Sequence, residues 1–335
     1  MNFDPDPSSE VALGAAEGVC TDVLPSLPTE ANAFFRDAAR ALRARGLFAG
    51  DSVEVAARVT MRLAAASGSL AVAFVSGFAF ARASKLAGAP AESPDAPGDA
   101  LGVLAFGASL SGPTSGQAPK LVGESPFVVG GPVAARALVV ASTDDRVALA
   151  NVDLAAPGVS RVPVTGALGF DSVPVCALRF DDVAIQPATP PTSASIQLLR
   201  NTRNVLEGAI GVGIGRHSFR LAVGHLRSLG KRPSQSTEFS LSDVATELDA
   251  AELSVLRAAW AIDGGSARAL ESASARLVAT RAATHAAHTA LVLTGNTDCT
   301  SDQRQCYLET CALEFQSETS AMQVATIASE MLEES

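Results

Sequence analysis

Apolar positions recur at i, i+3 and i+4 through the first quarter of the chain. Segments 10–24 (EVALGAAEGVCTDVL), 30–48, 51–67 and 70–86 each carry the helical period, so four helices are predicted there. Glu30, Asp51 and Ser52 stand where helix starts want acids and caps, and Gly46 where a helix should stop. The stretch 89–99 (APAESPDAPGD) breaks every period and reads as a loop. From 101 to 185 the pattern shortens to valine-rich runs divided by Gly and Pro: LGVLAFG, KLVGE, FVVGG, ALVVAST, VALANVD, VSRVPV and CALRFDDVAI. Their spacing of roughly ten residues predicts an antiparallel barrel or sandwich. After a second linker (QPATPPTS), long helical periods return over 196–229, 242–264, 267–294 and 305–332, as an antiparallel four-helix bundle requires. The expected fold is therefore α+β, divided into an N-terminal helical domain (1–99), a middle β domain (100–190) and a C-terminal four-helix bundle (191–335).

Composition narrows the function. The 335 residues carry Lys+Arg 25 against Asp+Glu 35, a net charge of −10, which argues against nucleic acid and against anionic membrane as partners. The longest apolar run, 70–81, carries Gly and Ser and is shorter than the roughly 20 residues of a membrane span. Its start, MNFDPDPSSE, lacks the basic and apolar segments of a secretory signal, and the five scattered cysteines read as reduced thiols, which places the chain in the cytoplasm. No metal site is expected: Cys306 and Cys311 lack a CxxC pair, and His285 and His288 have no third ligand nearby. Gly211-x-Gly213-x-Gly215 lies within a helical period rather than after a strand, so it predicts close helix packing and not a dinucleotide loop. Trp260, at an apolar helix position, is expected in the core.

The order of helices, strands and bundle is joined by four stretches of sequence. These are FFRDAARALRARGLF (34–48), LVGESPFVVGGPVAARALVVA (121–141), APGVSRVP (156–163) followed by LRFDDVAIQPA (178–188), and LSDVATELDAAELSVLRAAWAID (241–263). Together they resemble the acyl-CoA dehydrogenase family along essentially the whole chain. The resemblance implies FAD as cofactor, an acyl thioester on CoA or on a carrier protein as substrate, and α,β-dehydrogenation with a glutamate as base. It also implies a dimer or tetramer, homo- or hetero-oligomeric, because the family's flavin site spans two subunits.

Carried over position by position, the implied flavin contacts are degenerate. The family's Thr-Glu-Pro-x-Ala-Gly-Ser-Asp falls on GASLSGPTSG, where Gly112 survives and Ser109 and Ser111 offer hydroxyls. Phe127 keeps the aromatic on the flavin-facing strand, while Val129 replaces a hydroxyl residue. Arg227 matches the arginine after the first bundle helix, and Gln235 the following glutamine. Gly295 and Asn296 stand for a double glycine that meets the adenosine half of FAD. Tyr-Glu-Gly-Thr-Ser-x-Ile-Gln falls on Gln316–Gln323, which keeps Thr319. Without a gap, Ser317 takes the base position; a shift of one residue, about 100° on a helix, assigns it to Glu318. A second base position used by some members falls near Asn201, again not an acid. Two alternatives stay open: a partner subunit without its own base that completes a relative's flavin site, and the same scaffold turned to other chemistry such as oxygenation, cyclisation or dehydration. The first would hold FAD weakly or only in complex with its partner; the second would bind flavin or ligand without desaturating an acyl-CoA.

Overall fold

The computed structural model describes residues 7–88, 101–111, 120–142, 147–164, 168–185 and 193–333. Four helices open the chain: α1 (Pro7–Gly18), α2 (Ala31–Ala44), α3 (Val53–Ala64) and α4 (Gly68–Leu86). Their limits follow local chemistry. The Glu30 carboxylate accepts the N–H groups of Asn32 and Ala33 at the start of α2, and Gly46 (φ +71°) adopts the left-handed conformation that ends it. Ser52 caps α3 through the Val55 N–H, whereas Asp51 instead pairs with Lys85 on α4. Helix α4 has the length and apolarity of a membrane span, but 67% of that window is buried in the core, the pattern of a central helix in a globular protein.

The strand-rich middle forms one six-stranded sheet in the order β4-β3-β1-β2-β6-β5. The strands are β1 (Gly102–Ser111), β2 (Lys120–Val129), β3 (Arg136–Ser142), β4 (Val147–Asp153), β5 (Val159–Pro163) and β6 (Val175–Ala184). Every pairing is antiparallel except β1 with β3, which is parallel. Seven apolar runs become six strands because KLVGE and FVVGG are one strand, β2. Gly123 (φ +103°) and the stretch from Ser125 to Val128 are irregularities in its register with β6, not turns.

The bundle consists of α5 (Ser193–Ser228), α6 (Gln235–Asp263) and α7 (Ala269–Asp298), followed by α8 (Ser301–Leu313) and α9 (Ser320–Glu333). The single helix expected over 305–332 is thus two. Its interruption, residues 314–319, is the main departure from the sequence pattern. Gly295, at φ +73° and ψ 178°, also breaks α7 near its end. Close approach explains the glycine triplet of α5: a Cβ on Gly213 would lie 2.5 Å from the Met61 carbonyl of α3, and one on Gly215 would lie 2.6 Å from Leu248 of α6. Helix α5 is accordingly buried along most of its length, and the largest core cluster runs without a gap from Phe34 and Leu63 to Ile210, Leu248 and Ile262. Asp263, the last residue of α6, accepts the N–H groups of Val53 and Glu54 and so caps α3 from the bundle. Trp260, expected in that core, is instead 46% exposed.

Candidate functional site

A cavity of about 310 Å³ opens where α4, the β1–β2 edge, α5 and the α8–α9 interruption meet. Its strand wall is apolar and aromatic: Phe106, Pro126, Phe127 and Val129. Its opposite wall holds charge, from Arg200, Arg203 and Glu207 on α5 and Glu318 beyond α8. A second cavity of about 440 Å³, lined mostly by apolar groups including Phe35, Phe48 and Phe80, adjoins it at Ser76 of α4.

The charged wall is built around Glu207, whose side chain is 3% exposed. A buried carboxylate needs partners, and three groups surround it. Arg276 of α7 pairs with Oε2 at 2.5 Å, the Ser317 hydroxyl donates to Oε1 at 2.6 Å, and Arg203 stands 3.8 Å from Oε1. Arg276 also donates to Asn204 Oδ1 (3.0 Å), to the Gln316 carbonyl and to the Glu318 carbonyl (2.6 Å). One buried guanidinium thereby holds the backbone of the interruption open. Within it, the Glu318 N–H closes on the Gln316 carbonyl at 2.7 Å around Ser317 at φ +61°. That is the strained hand of the three-residue turn, rare for a residue with a side chain.

This turn delivers the Glu318 carboxylate to the cavity. Gln323 donates to its Oε2 at 2.8 Å, and Arg203 lies 3.6 Å from Oε1. Burial raises the Glu318 carboxyl, but Arg203, the Gln323 amide and Arg276 outweigh it and hold the group below the ordinary carboxylate range. The Arg203 guanidinium in turn lies over the Phe106 ring, 4.4 Å from its centroid.

Of the residues singled out from sequence, Phe127, Val129 and Glu318 come together at this cavity. Ser109 lies exposed on β1; Ser111 ends that strand with its side chain outside the described residues, where Gly112 also falls. Thr319 lies at the start of α9, its Oγ1 accepting the Met322 N–H. Arg227, Gln235 and Gly295 are exposed on the bundle. Arg227 is 24 residues beyond Arg203 on one helix, about 36 Å at the helical rise, so it does not reach this cavity. Only the backbone of Asn296 is described, close to the break at Gly295. Asn201 is buried and accepts hydrogen bonds from Gln197 (2.8 Å) and Ser272 (3.0 Å), a packing role. His217 pairs with Asp302 at 2.8 Å; with Cys306 they place three donor atoms within 4.8 Å of one another. Burial pushes that thiol up to about 12, away from the thiolate a metal requires.

Sequence reasoning missed Arg203, Glu207, Arg276 and Phe106. A signal existed: Arg203 and Glu207 sit four apart and directly precede GAIGVGIG, the most buried run of α5. Charges on such a stripe are rarely buried without a purpose or a partner.

A family model described as acyl-CoA dehydrogenase, C-terminal domain, matches residues 197–332. Among solved structures, the chain is similar to butyryl-CoA dehydrogenase from Megasphaera elsdenii, with a TM-score of 0.80 and 18% identity, covering 99% of this chain and 100% of that one. It is equally similar to PigA with FAD and proline (TM-score 0.84, 16% identity, 100% of both chains). The ChsE4–ChsE5 complex from Mycobacterium tuberculosis also matches (TM-score 0.78, 20% identity, 99% of both chains). No curated protein sequence matches the chain. The chain has the acyl-CoA dehydrogenase fold from end to end, and its residues 197–332 carry the sequence signature of that family's C-terminal domain.

Proposed function

We propose that this chain is a flavin-dependent enzyme that removes two hydrogens from the α,β positions of an acyl thioester, with Glu318 taking the α-proton. The observation that supports this reading most is the Glu318 carboxylate, held at a cavity whose facing wall is apolar and aromatic. The similarity to PigA with FAD bound adds to it. The lining fits a planar ring: Phe127 and Val129 would offer it an apolar wall. Ser109, Ser111 and Gly112 are assigned to the remainder of FAD, with Arg227, Gln235, Gly295, Asn296 and Thr319 serving a neighbouring subunit's flavin. Flavin, where bound, supplies the two-electron acceptor that dehydrogenation requires.

The chain's own residues bind, orient and move the proton. The adjoining 440 Å³ cavity receives the apolar acyl chain and excludes water. Arg276 and the Gln323 amide fix the direction of Glu318. Because Arg203 keeps Glu318 ionised, the carboxylate is ready to accept a proton at neutral pH but is a weak base until that partner is engaged elsewhere. The three-domain division at 99 and 190 and a cytoplasmic location belong to the same reading; the latter is supported by five unpaired thiols.

Purified with added FAD, the chain should show flavin absorption that bleaches on addition of an acyl-CoA. Glu318→Gln should keep the flavin bands and lose bleaching by about 10²- to 10⁴-fold in rate. Flavin that resists acyl thioesters in the native chain would reject the assignment. The similarity to the ChsE4–ChsE5 complex favours a second reading, a subunit that completes a relative's site. It requires that flavin be retained only when that relative is present.

A further inference from the structure

Charge around the cavity does not balance. Among the described residues that line or border it, Arg200, Arg203 and Arg276 stand against two carboxylates, Glu207 and Glu318, and Arg276 is engaged with Glu207 and three backbone or amide oxygens. Arg203 is left with partners that stand off. Its acids are 3.6 and 3.8 Å away, beyond hydrogen-bond reach, and its buried Nε has no hydrogen-bond partner among the described residues. The side chain is 14% exposed. A guanidinium carries five donors in a planar fork suited to a carboxylate. Burying one with its donors unmet is costly unless a ligand completes it. The Phe106 ring beneath it and the loose flanking acids fix the fork without occupying it. Arg200 lines the same cavity one turn earlier on α5, 6.0 Å from the same ring centroid.

We propose that Arg203, seconded by Arg200, is the receptor for a carboxylate on the ligand, so that the substrate is an acyl thioester bearing an additional anionic group. This rests on the reading above that an acyl thioester enters the cavity. It also couples binding to chemistry. A ligand carboxylate on Arg203 draws that cation from Glu318, and Glu318 becomes a stronger base only when the right substrate is present.

The test is direct binding to the full-length chain, with and without FAD, comparing succinyl-CoA with butyryl-CoA, which lacks the carboxylate. A preference of about ten- to a hundredfold for succinyl-CoA is expected. Arg203→Gln should bring succinyl-CoA to the butyryl-CoA level, and Arg200→Gln should remove part of the preference. Arg200→Gln is the safeguard if Arg203→Gln does not fold, since Arg200 is exposed. Equal binding of the two thioesters, or an Arg203→Gln loss shared equally by both, would overturn the proposal. So would a preference that FAD abolishes, which would assign Arg203 to the flavin. If neither thioester binds, the acyl-thioester reading fails by itself. Titration with succinate against succinamide then decides the carboxylate receptor independently, with equal or absent binding rejecting it.

Discussion

Glu309 lies on the inner side of α8, its carboxylate against the first turn of α4. A Cβ on Gly68 would come within 2.3 Å of its Oε2. Burial pushes this carboxyl up to about 7, with Asp302 and Asp171 adding to it and the Gln305 amide working against them. The folded chain therefore keeps the proton between about pH 4.5 and 7, while the unfolded chain releases it, and stability falls as pH rises through that window. The loss is on the order of 3 kcal/mol once pH exceeds both values. Glu309→Gln should remove most of it, raising the midpoint of thermal unfolding at pH 8 and changing it little at pH 4; equal shifts at both would contradict the burial account. Resolution by sequence also ends at this scale. A shift of one residue decided between Ser317 and Glu318, and the structure uses both: Ser317 donates to Glu207, while Glu318 meets the cavity. No local pattern distinguishes the two, because the turn that orients them is held by Arg276, forty residues earlier in the chain.

Helix positions were readable wherever a segment's own pattern decides them. The caps at Glu30 and Ser52, the stop at Gly46 and the packing of the α5 glycines are all set by local chemistry or by side-chain size. The interruption between α8 and α9 was not readable. Residues 314–319 contain neither Gly nor Pro, and the apolar period passes through them. The two strand runs that merge into β2 illustrate the converse: Gly123 and Pro126 look like turn signals and serve as irregularities in a continuous strand. Trp260 shows a third limit: its position on α6 fits an apolar period, yet the side chain is turned outward. Close packing at the α3–α5 crossing makes a sharp prediction. Gly213→Ala puts a methyl into the Met61 carbonyl and Ala64 Cβ, both at 2.5 Å, and neither is a flexible side-chain end. The helices must separate, at a cost of about 1–3 kcal/mol measurable by urea unfolding. Gly224→Ala on the same helix meets nothing within 4 Å and should be neutral or slightly stabilising, which controls for helix propensity.

At the scale of the molecule, the sequence indicated the class and order of its parts, and the comparisons bear out the fold. The flavin contacts inferred from the family divide into two groups that a single chain does not unite. Phe127 and Val129 line the cavity, whereas Arg227, Gln235 and Gly295 are exposed on the bundle. If the second group serves a neighbour's flavin, FAD should co-elute only with species larger than one chain. Arg227→Ala should then lower flavin retention several-fold while leaving the circular dichroism of the apo chain unchanged. Flavin that stays with a monomer on dilution would contradict this division. The exposed Leu229, Phe239 and Val292 accompany these residues and supply apolar surface for such an assembly.

Asp263 caps α3 from the far end of α6, and the glycines of α5 receive α3 at van der Waals distance. The segment that bears the family signature, 197–332, thus shares its core with helices lying outside it. It cannot be handled as a cassette. Grafting it onto a relative's first two hundred residues would leave Gly213 and Asp263 facing a foreign helix. Chimeras and truncations of this protein should therefore keep α3 together with the bundle rather than be cut at the boundary that sequence similarity draws.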